Sequence, residues 1–229
     1  MEKLIYPLWM EPGRPLNERW VEDLSRQLLE SPVRGLRIAI VDEAVAAAAG
    51  MVQAKLTEAP SALVSLWLDS AWKRDTVEAV IASACDRYAG YAVSESAPLG
   101  IEETEGQRVA GMNQVVFLEC PGHLTRAQWL QTWLEEHTPI AIDTQSTFAY
   151  RQNVVVRALT ADAPSIDAIV EEAFPDAAMT SPLAFYDVDS EEELQARLTT
   201  MIESCARFID FERLNVTPMS DYLLKRPQA

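Results

Sequence analysis

The chain has 229 residues, 48% of them apolar and 24% charged, with a formal charge of −16. Such a composition excludes a disordered or fibrous chain. The acidic field repels phosphate backbones and no Lys/Arg cluster interrupts it, so partners among nucleic acids and anionic membranes are not expected.

Cys85, Cys120 and Cys205 show no CxxC spacing, which points to reduced thiols in a cytoplasmic protein. Met1 to Met10 lacks the charged start and long apolar run of a secretion signal. No 18-residue apolar stretch exists to span a membrane.

The first expected element is a strand near Lys3–Met10, where Leu4, Tyr6, Leu8 and Met10 alternate onto one face. A helix follows near Asn17–Ser31, with Asn17 as its N-cap. Strands near Leu36–Val41 and Leu63–Leu68 flank an Ala-rich turn at Ala44–Lys55. A helix near Lys73–Tyr88 and a strand near Tyr91–Ser96 complete this set. Pro98–Arg108, with two glycines and three glutamates, reads as a linker.

Beyond it the same order returns. Strands are expected near Asn113–Leu118, Ala149–Leu159, Leu183–Val188 and Phe211–Thr217, and helices near Arg126–His137 and Glu191–Phe208. A short added helix is placed at Ile166–Phe174. The return is visible residue by residue. At a shift of 120, Asp69-Ser70, Cys85, Arg87 and Pro98 fall on Asp189-Ser190, Cys205, Arg207 and Pro218. At a shift of 109, Pro12-Gly13 and Trp20 fall on Pro121-Gly122 and Trp129. The second copy therefore holds about 11 extra residues, which the prolines and polar residues of Thr138–Ser165 would accommodate.

Strand, helix, strand, strand, helix, strand is the ferredoxin-like βαββαβ order. Helices on one face leave the other face of each sheet needing a partner. The expected fold is α+β, with two tandem ferredoxin-like units packed sheet to sheet as an intrachain dimeric α/β barrel. The first unit spans residues 1–100, the linker 101–110 and the second unit 111–229. As an internal pseudo-dimer the chain could be a monomer, and a homodimer is the alternative.

Residues 129–153 read WLQTWLEEHTPIAIDTQSTFAYRQN. With Trp133, His137, Pro139, Tyr150, Gln152 and Asn153, this resembles the EthD family, whose aromatic-rich helix ends in His before a Pro step and a Y-x-Q-N strand. The likeness covers roughly Gly111–Pro218. It implies the dimeric α/β-barrel superfamily, which includes monooxygenases, polyketide-processing enzymes and haem-binding proteins. Copy one departs from the pattern: Leu28 stands opposite His137 and Ala39 opposite Asn153. A single site per chain, in copy two, is expected.

His137 is one of two histidines, and Trp129, Trp133 and His137 recur every four residues on one helical face. Pro139 is expected to end that helix. The helix dipole with Glu135 and Glu136 would favour the imidazolium, and burial would oppose it, so titration near neutrality is expected. Tyr150 and Gln152 share one strand face, Arg151 and Asn153 the other. The site set is His137 and Tyr150 as catalytic pair, with Trp129, Trp133, Gln152, Asn153 and Tyr186 binding ligand.

A small organic molecule, apolar or aromatic or bearing a carbonyl, would be bound, with His137 moving a proton and Tyr150 donating to an oxyanion. The alternative is a non-catalytic binding or accessory protein, with haem as a variant. No cofactor is called for, and no metal, since two histidines and scattered cysteines do not supply a zinc ligand set.

Overall fold

A computed structural model describes residues 1–11 and 13–227. Pro12 of the paired Pro-Gly steps and the last two residues of the second copy lie outside the described residues. The strands are β1 (Glu2–Trp9), β2 (Gly35–Ile40), β3 (Gln53–Ala54), β4 (Ala62–Leu68), β5 (Arg87–Tyr88), β6 (Tyr91–Leu99), β7 (Met112–Leu118), β8 (Ala149–Ala158), β9 (Ala168–Phe174) and β10 (Leu214–Lys225). The helices are α1 (Glu18–Leu29), α2 (Asp75–Ala84), α3 (Arg126–Gln131), α4 (Thr138–Thr144), α5 (Pro182–Phe185) and α6 (Glu191–Cys205).

Two ferredoxin-like sheets form, β2-β4-β1-β6 and β8-β9-β7-β10. In each, the unit's first and third strands lie at the centre. The sheets join edge to edge through antiparallel pairs β6–β8 and β10–β2, which closes an eight-stranded barrel and leaves it no free edge. The short β3 and β5 add to β10 and β1.

Alternation explains how one strand serves two cores. Leu4, Tyr6 and Leu8 of β1 face the helices of unit one, where Val21, Leu24 and Leu28 of α1 and Val77 and Ile81 of α2 meet them. Ile5 and Trp9 of the same strand point into the barrel, against Val115, Phe117, Ile169 and Met219 of unit two. The third core lies between the second sheet and its helices, around Trp129, Trp133, Tyr150 and Phe208.

Helix starts follow the expected caps. Asn17 Oδ1 accepts from Trp20 N–H, Thr125 and Gln128 form a capping box, and Ser190 accepts from Glu193 N–H.

Three element assignments are corrected. Ile166–Phe174 contains a strand, β9, and not a helix. All seven of its residues are buried, because the barrel interior covers one face and the helices the other. Such a strand has no alternation to read, and at this length an apolar run does not separate strand from helix. Leu183–Val188, expected as a strand, lies in and just after α5, whose N-cap is Ser181 and whose first residue is Pro182. The last strand runs Leu214–Lys225, further along than Phe211–Thr217.

The extra residues of copy two follow from these corrections. In copy one a single residue separates the end of β4 from the cap Ser70, whereas Pro175–Asp189 separate β9 from the cap Ser190. The insertion lies there and not in Thr138–Ser165. Gly111 precedes β7 with φ +89°, and a Cβ there would stand 1.9 Å from the Phe174 carbonyl oxygen, so only glycine lets β7 start against the end of β9.

Candidate functional site

Between the second sheet and its helices lies a cavity of about 270 Å³. Its floor follows from strand register. Gln114 of β7 pairs across from Glu172 of β9, and Glu172 pairs across from Tyr150 of β8. Directly opposed residues share a face, so these three side chains form one row turned toward the helices. Trp133 and His137 come from the helical side, with Met201 and Cys205 of α6 and Phe208 beyond it. Phe185 and Tyr186, both from the inserted segment, complete the wall, and copy one has no such segment to build a matching one. Gln53 of β3 brings copy one to the rim beside Phe211.

The helix carrying Trp133 and His137 does not stop at Pro139. Between α3 and α4 the residues Thr132–His137 form a π-helical turn, in which Thr138 N–H bonds the Trp133 carbonyl. A proline lacks the N–H and collides with the carbonyl four residues back. Widening the turn before Pro139 moves that carbonyl aside and lets α4 start with proline in its first turn. Sequence logic for a helix stop is overridden by this bulge.

His137 thus sits within the helix, 6% exposed, with its ring 4.7 Å from that of Phe208. Burial lowers its pKa to about 4, so the expected titration near neutrality is corrected to a neutral imidazole. Its Nδ1 is 2.9 Å from Ser204 Oγ. Ser204 Oγ and Nδ1 share one hydrogen bond, and where the hydroxyl donates, the neutral ring carries its proton on Nε2.

Tyr150 is buried, and its hydroxyl accepts from Trp133 Nε1 at 3.1 Å. Burial first, then the charge of Glu172, raises its pKa far above the ordinary range, so it remains a donor at any working pH. Gln152 does not line the cavity. Its Nε2 donates to Thr138 Oγ1 at 2.6 Å, and Thr138 in turn donates to the Trp133 carbonyl, which ties the bulge to the strand. Trp129 lies behind Trp133, with ring centroids 5.5 Å apart and its Nε1 donating to the Phe208 carbonyl.

Asn153 is the residue the fold separates from the others. Placed on the opposite face of β8, it points into the barrel, accepts from Lys3 Nζ at 2.8 Å and donates to Glu171 Oε1 at 3.0 Å. The β8–β9 register runs unbroken from Tyr150 to Asn153, so Asn153 cannot reach the cavity, and its expected ligand contact is corrected accordingly. Tyr186 does line the cavity, as a residue that follows a helix rather than one on a strand.

Glu172 was missed by sequence reasoning because its segment reads as helix. It is 8% exposed, has no hydrogen-bond or salt-bridge partner among the described residues, and faces an aromatic cavity lined by no Lys or Arg. Burial alone raises its pKa to about 7. A carboxyl and an imidazole thus meet one cavity with their pKa values reversed from the usual order, which marks functional sites more often than structural ones. Among the described residues, no group of three or more His, Cys, Asp or Glu is placed to hold a metal ion.

No family model matches the chain, and no curated protein does. Solved structures do. An anthrone oxidase-like protein aligns with 100% of this chain and 94% of its own at 10% identity and TM-score 0.51. A chlorite dismutase-like protein aligns with 97% and 95% at 8% identity and TM-score 0.50. A monooxygenase-like protein from Lactobacillus acidophilus aligns with 98% and 96% at 7% identity and TM-score 0.47. At these identities the likeness to the first two shows the fold, that of a dimeric α/β barrel, and nothing of the chemistry.

Proposed function

We propose that the chain is an EthD-like small-molecule-binding protein whose second unit holds a neutral, largely apolar ligand, aromatic or carbonyl-bearing. The observation that carries this reading is the cavity itself. Its volume of about 270 Å³ suits a small organic molecule, and it is walled by Trp133, Tyr150, Phe185, Tyr186 and Phe208 with a few polar groups converging on it. Tyr150 and His137 are donors to a ligand oxygen, with the amides of Gln114 and Gln145 also on the lining. The absence of any Lys or Arg from the lining favours neutral ligands over carboxylates, because an anion there would remain unpaired. Names of the solved neighbours include oxidase-like and monooxygenase-like proteins, and their shared fold is compatible with such a ligand.

The test is binding to the intact chain. Neutral aromatic ketones should raise the melting temperature and quench tryptophan fluorescence saturably, and aromatic carboxylates of equal size should do neither. Ile209 lines the cavity. Ile209→Trp fills it and is expected to weaken ketone binding at least tenfold, with the far-UV spectrum unchanged. Equal binding by that variant would show that ligand sits elsewhere. A Soret band on haem titration would favour the haem variant over this one.

A further inference from the structure

We propose that Glu172 is the proton acceptor of this cavity, and that the substrate class is a neutral ketone with an acidic C–H beside its carbonyl. The inference rests on the reading of the cavity as a small-molecule site and adds to it a reaction. Glu172 takes the proton, the C–H bond pair moves into the enolate, and the carbonyl oxygen becomes an oxyanion held by Tyr150 O–H and His137 Nε2–H. Return of the proton to the same or a neighbouring carbon completes an exchange or isomerisation. Nothing is oxidised or reduced, so no cofactor is needed.

Geometry selects Glu172 from the other buried polar groups because of what surrounds it. It occupies the middle of the Gln114–Glu172–Tyr150 row, directly across the strand pair from the tyrosine that would hold the oxygen. Every other buried carboxylate of the second sheet is engaged: Glu171 and Asp221 are bound by arginines inside the barrel. Glu172 alone has no partner among the described residues and opens onto the cavity.

The titratable groups facing the cavity from the elements around it are Tyr150 of β8, His137 of the π-helical turn, Tyr186 beyond α5 and Cys205 of α6. None is cationic at neutral pH. Tyr150, Tyr186 and Cys205 are held protonated by burial, and His137 is neutral. A carboxyl with a pKa of about 7 is divided between its forms at neutral pH and is a far stronger base than an ordinary carboxylate.

Both groups line the one cavity, and among the described residues no salt bridge joins them, so a ligand there can meet base and donor together. A neutral imidazole that keeps its Nε2 proton polarises a carbonyl without first binding a proton from solvent. His137 therefore acts as an oxyanion donor and not as the proton carrier.

The test follows deuterium entry into beta-tetralone by NMR in D₂O with the full chain. Exchange at the carbon beside the carbonyl should exceed the buffer rate by about 100-fold or more, the scale of a positioned general base. Its rate should rise with pH through about 7. Glu172→Gln should return exchange to the buffer rate and still show saturable tryptophan quenching by the ketone. His137→Gln should slow exchange and leave the pH midpoint in place, which a merely structural role would not predict. Binding without accelerated exchange in the wild-type chain overturns the inference and leaves the cavity reading intact. Unchanged exchange in Glu172→Gln overturns the role of this residue. Failure to bind any ketone sinks the cavity reading and the inference together.

Discussion

Glu171→Ala should lower the unfolding free energy by about 3–5 kcal/mol in urea titrations at neutral pH, the cost of leaving buried charges without a partner. The neighbour of Glu172 points the other way along β9, into the barrel, where it receives Lys3 Nζ at 3.5 Å and Arg151 at 3.4 Å. Lys3 also meets Asn153 at 2.8 Å and Glu95 at 2.7 Å. Arg37 binds Asp221 and reaches Glu103 at 2.6 Å, and Arg151 reaches Asp221 at 2.8 Å.

Lys3 and Arg37 belong to the first unit, Asn153, Glu171 and Asp221 to the second, so the network crosses the seam between the copies. Burial pushes the Glu171 carboxyl up, but Arg151, Lys3 and Arg37 together outweigh it and hold the pKa well below the usual carboxylate range. With the folded value depressed, this contribution is present above the ordinary pKa near 4.5 and is lost as pH falls toward the folded value.

The network as a whole is no argument for high stability. Arg151 Nε, Glu103 Oε1 and Asp221 Oδ1 have no hydrogen-bond partner, and burying ions is costly even when they are paired. Deleting one member is different, because the others remain buried. Lys3→Met should therefore also destabilise, and the double variant Lys3→Met/Glu171→Ala should lose less than the sum of the two. Full additivity would mean that the two residues do not act on each other. The contrast is Arg34–Asp69, where both side chains are more than half exposed and solvent screens the pair.

The repeat made the barrel legible because its signals are local. Ser190 caps α6 and Ser70 caps the 3-10 turn that leads into α2, and strands that alternate, such as β1, declare the face that each core will cover. Arg37, third residue of β2, and Arg151, third residue of β8, occupy equivalent inward positions and converge on Asp221 and Glu103. What stayed illegible was decided by burial. A strand covered on both faces, β9, carries two adjacent glutamates with unrelated fates, and only the barrel tells them apart. The misread strand hid Glu172, and the misplaced insertion hid the fact that Phe185 and Tyr186 are the wall that makes the second site possible. His137 and Tyr150 could be found from spacing, since both lie on faces that periodicity predicts. Asn153 was separable from them by the same alternation.

The stability of Glu172→Gln and His137→Gln should diverge with pH in opposite senses. The Glu172 carboxyl titrates near 7 in the folded chain and near 4.5 when unfolded, so between these values the folded state holds the extra proton. Stability from this group is complete below about 4.5 and declines as pH rises toward 7. His137 titrates near 4 folded and 6.5 unfolded, so between these values the unfolded state holds the extra proton. Its term declines as pH falls through that range.

At ~1.4 kcal/mol per pH unit each gap is worth about 3 kcal/mol. From about pH 4.5 to 6.5 the two terms run against each other and largely cancel in the wild-type chain. Glu172→Gln should gain about 3 kcal/mol relative to wild type between pH 4.5 and 7, leaving the His137 slope exposed. His137→Gln should gain a similar amount as pH falls from 6.5 to 4. Urea titrations at half-unit steps read both. Parallel curves for the two variants would mean that the cavity is wet enough to leave these groups at ordinary values, and a base near neutrality could then not be sustained there.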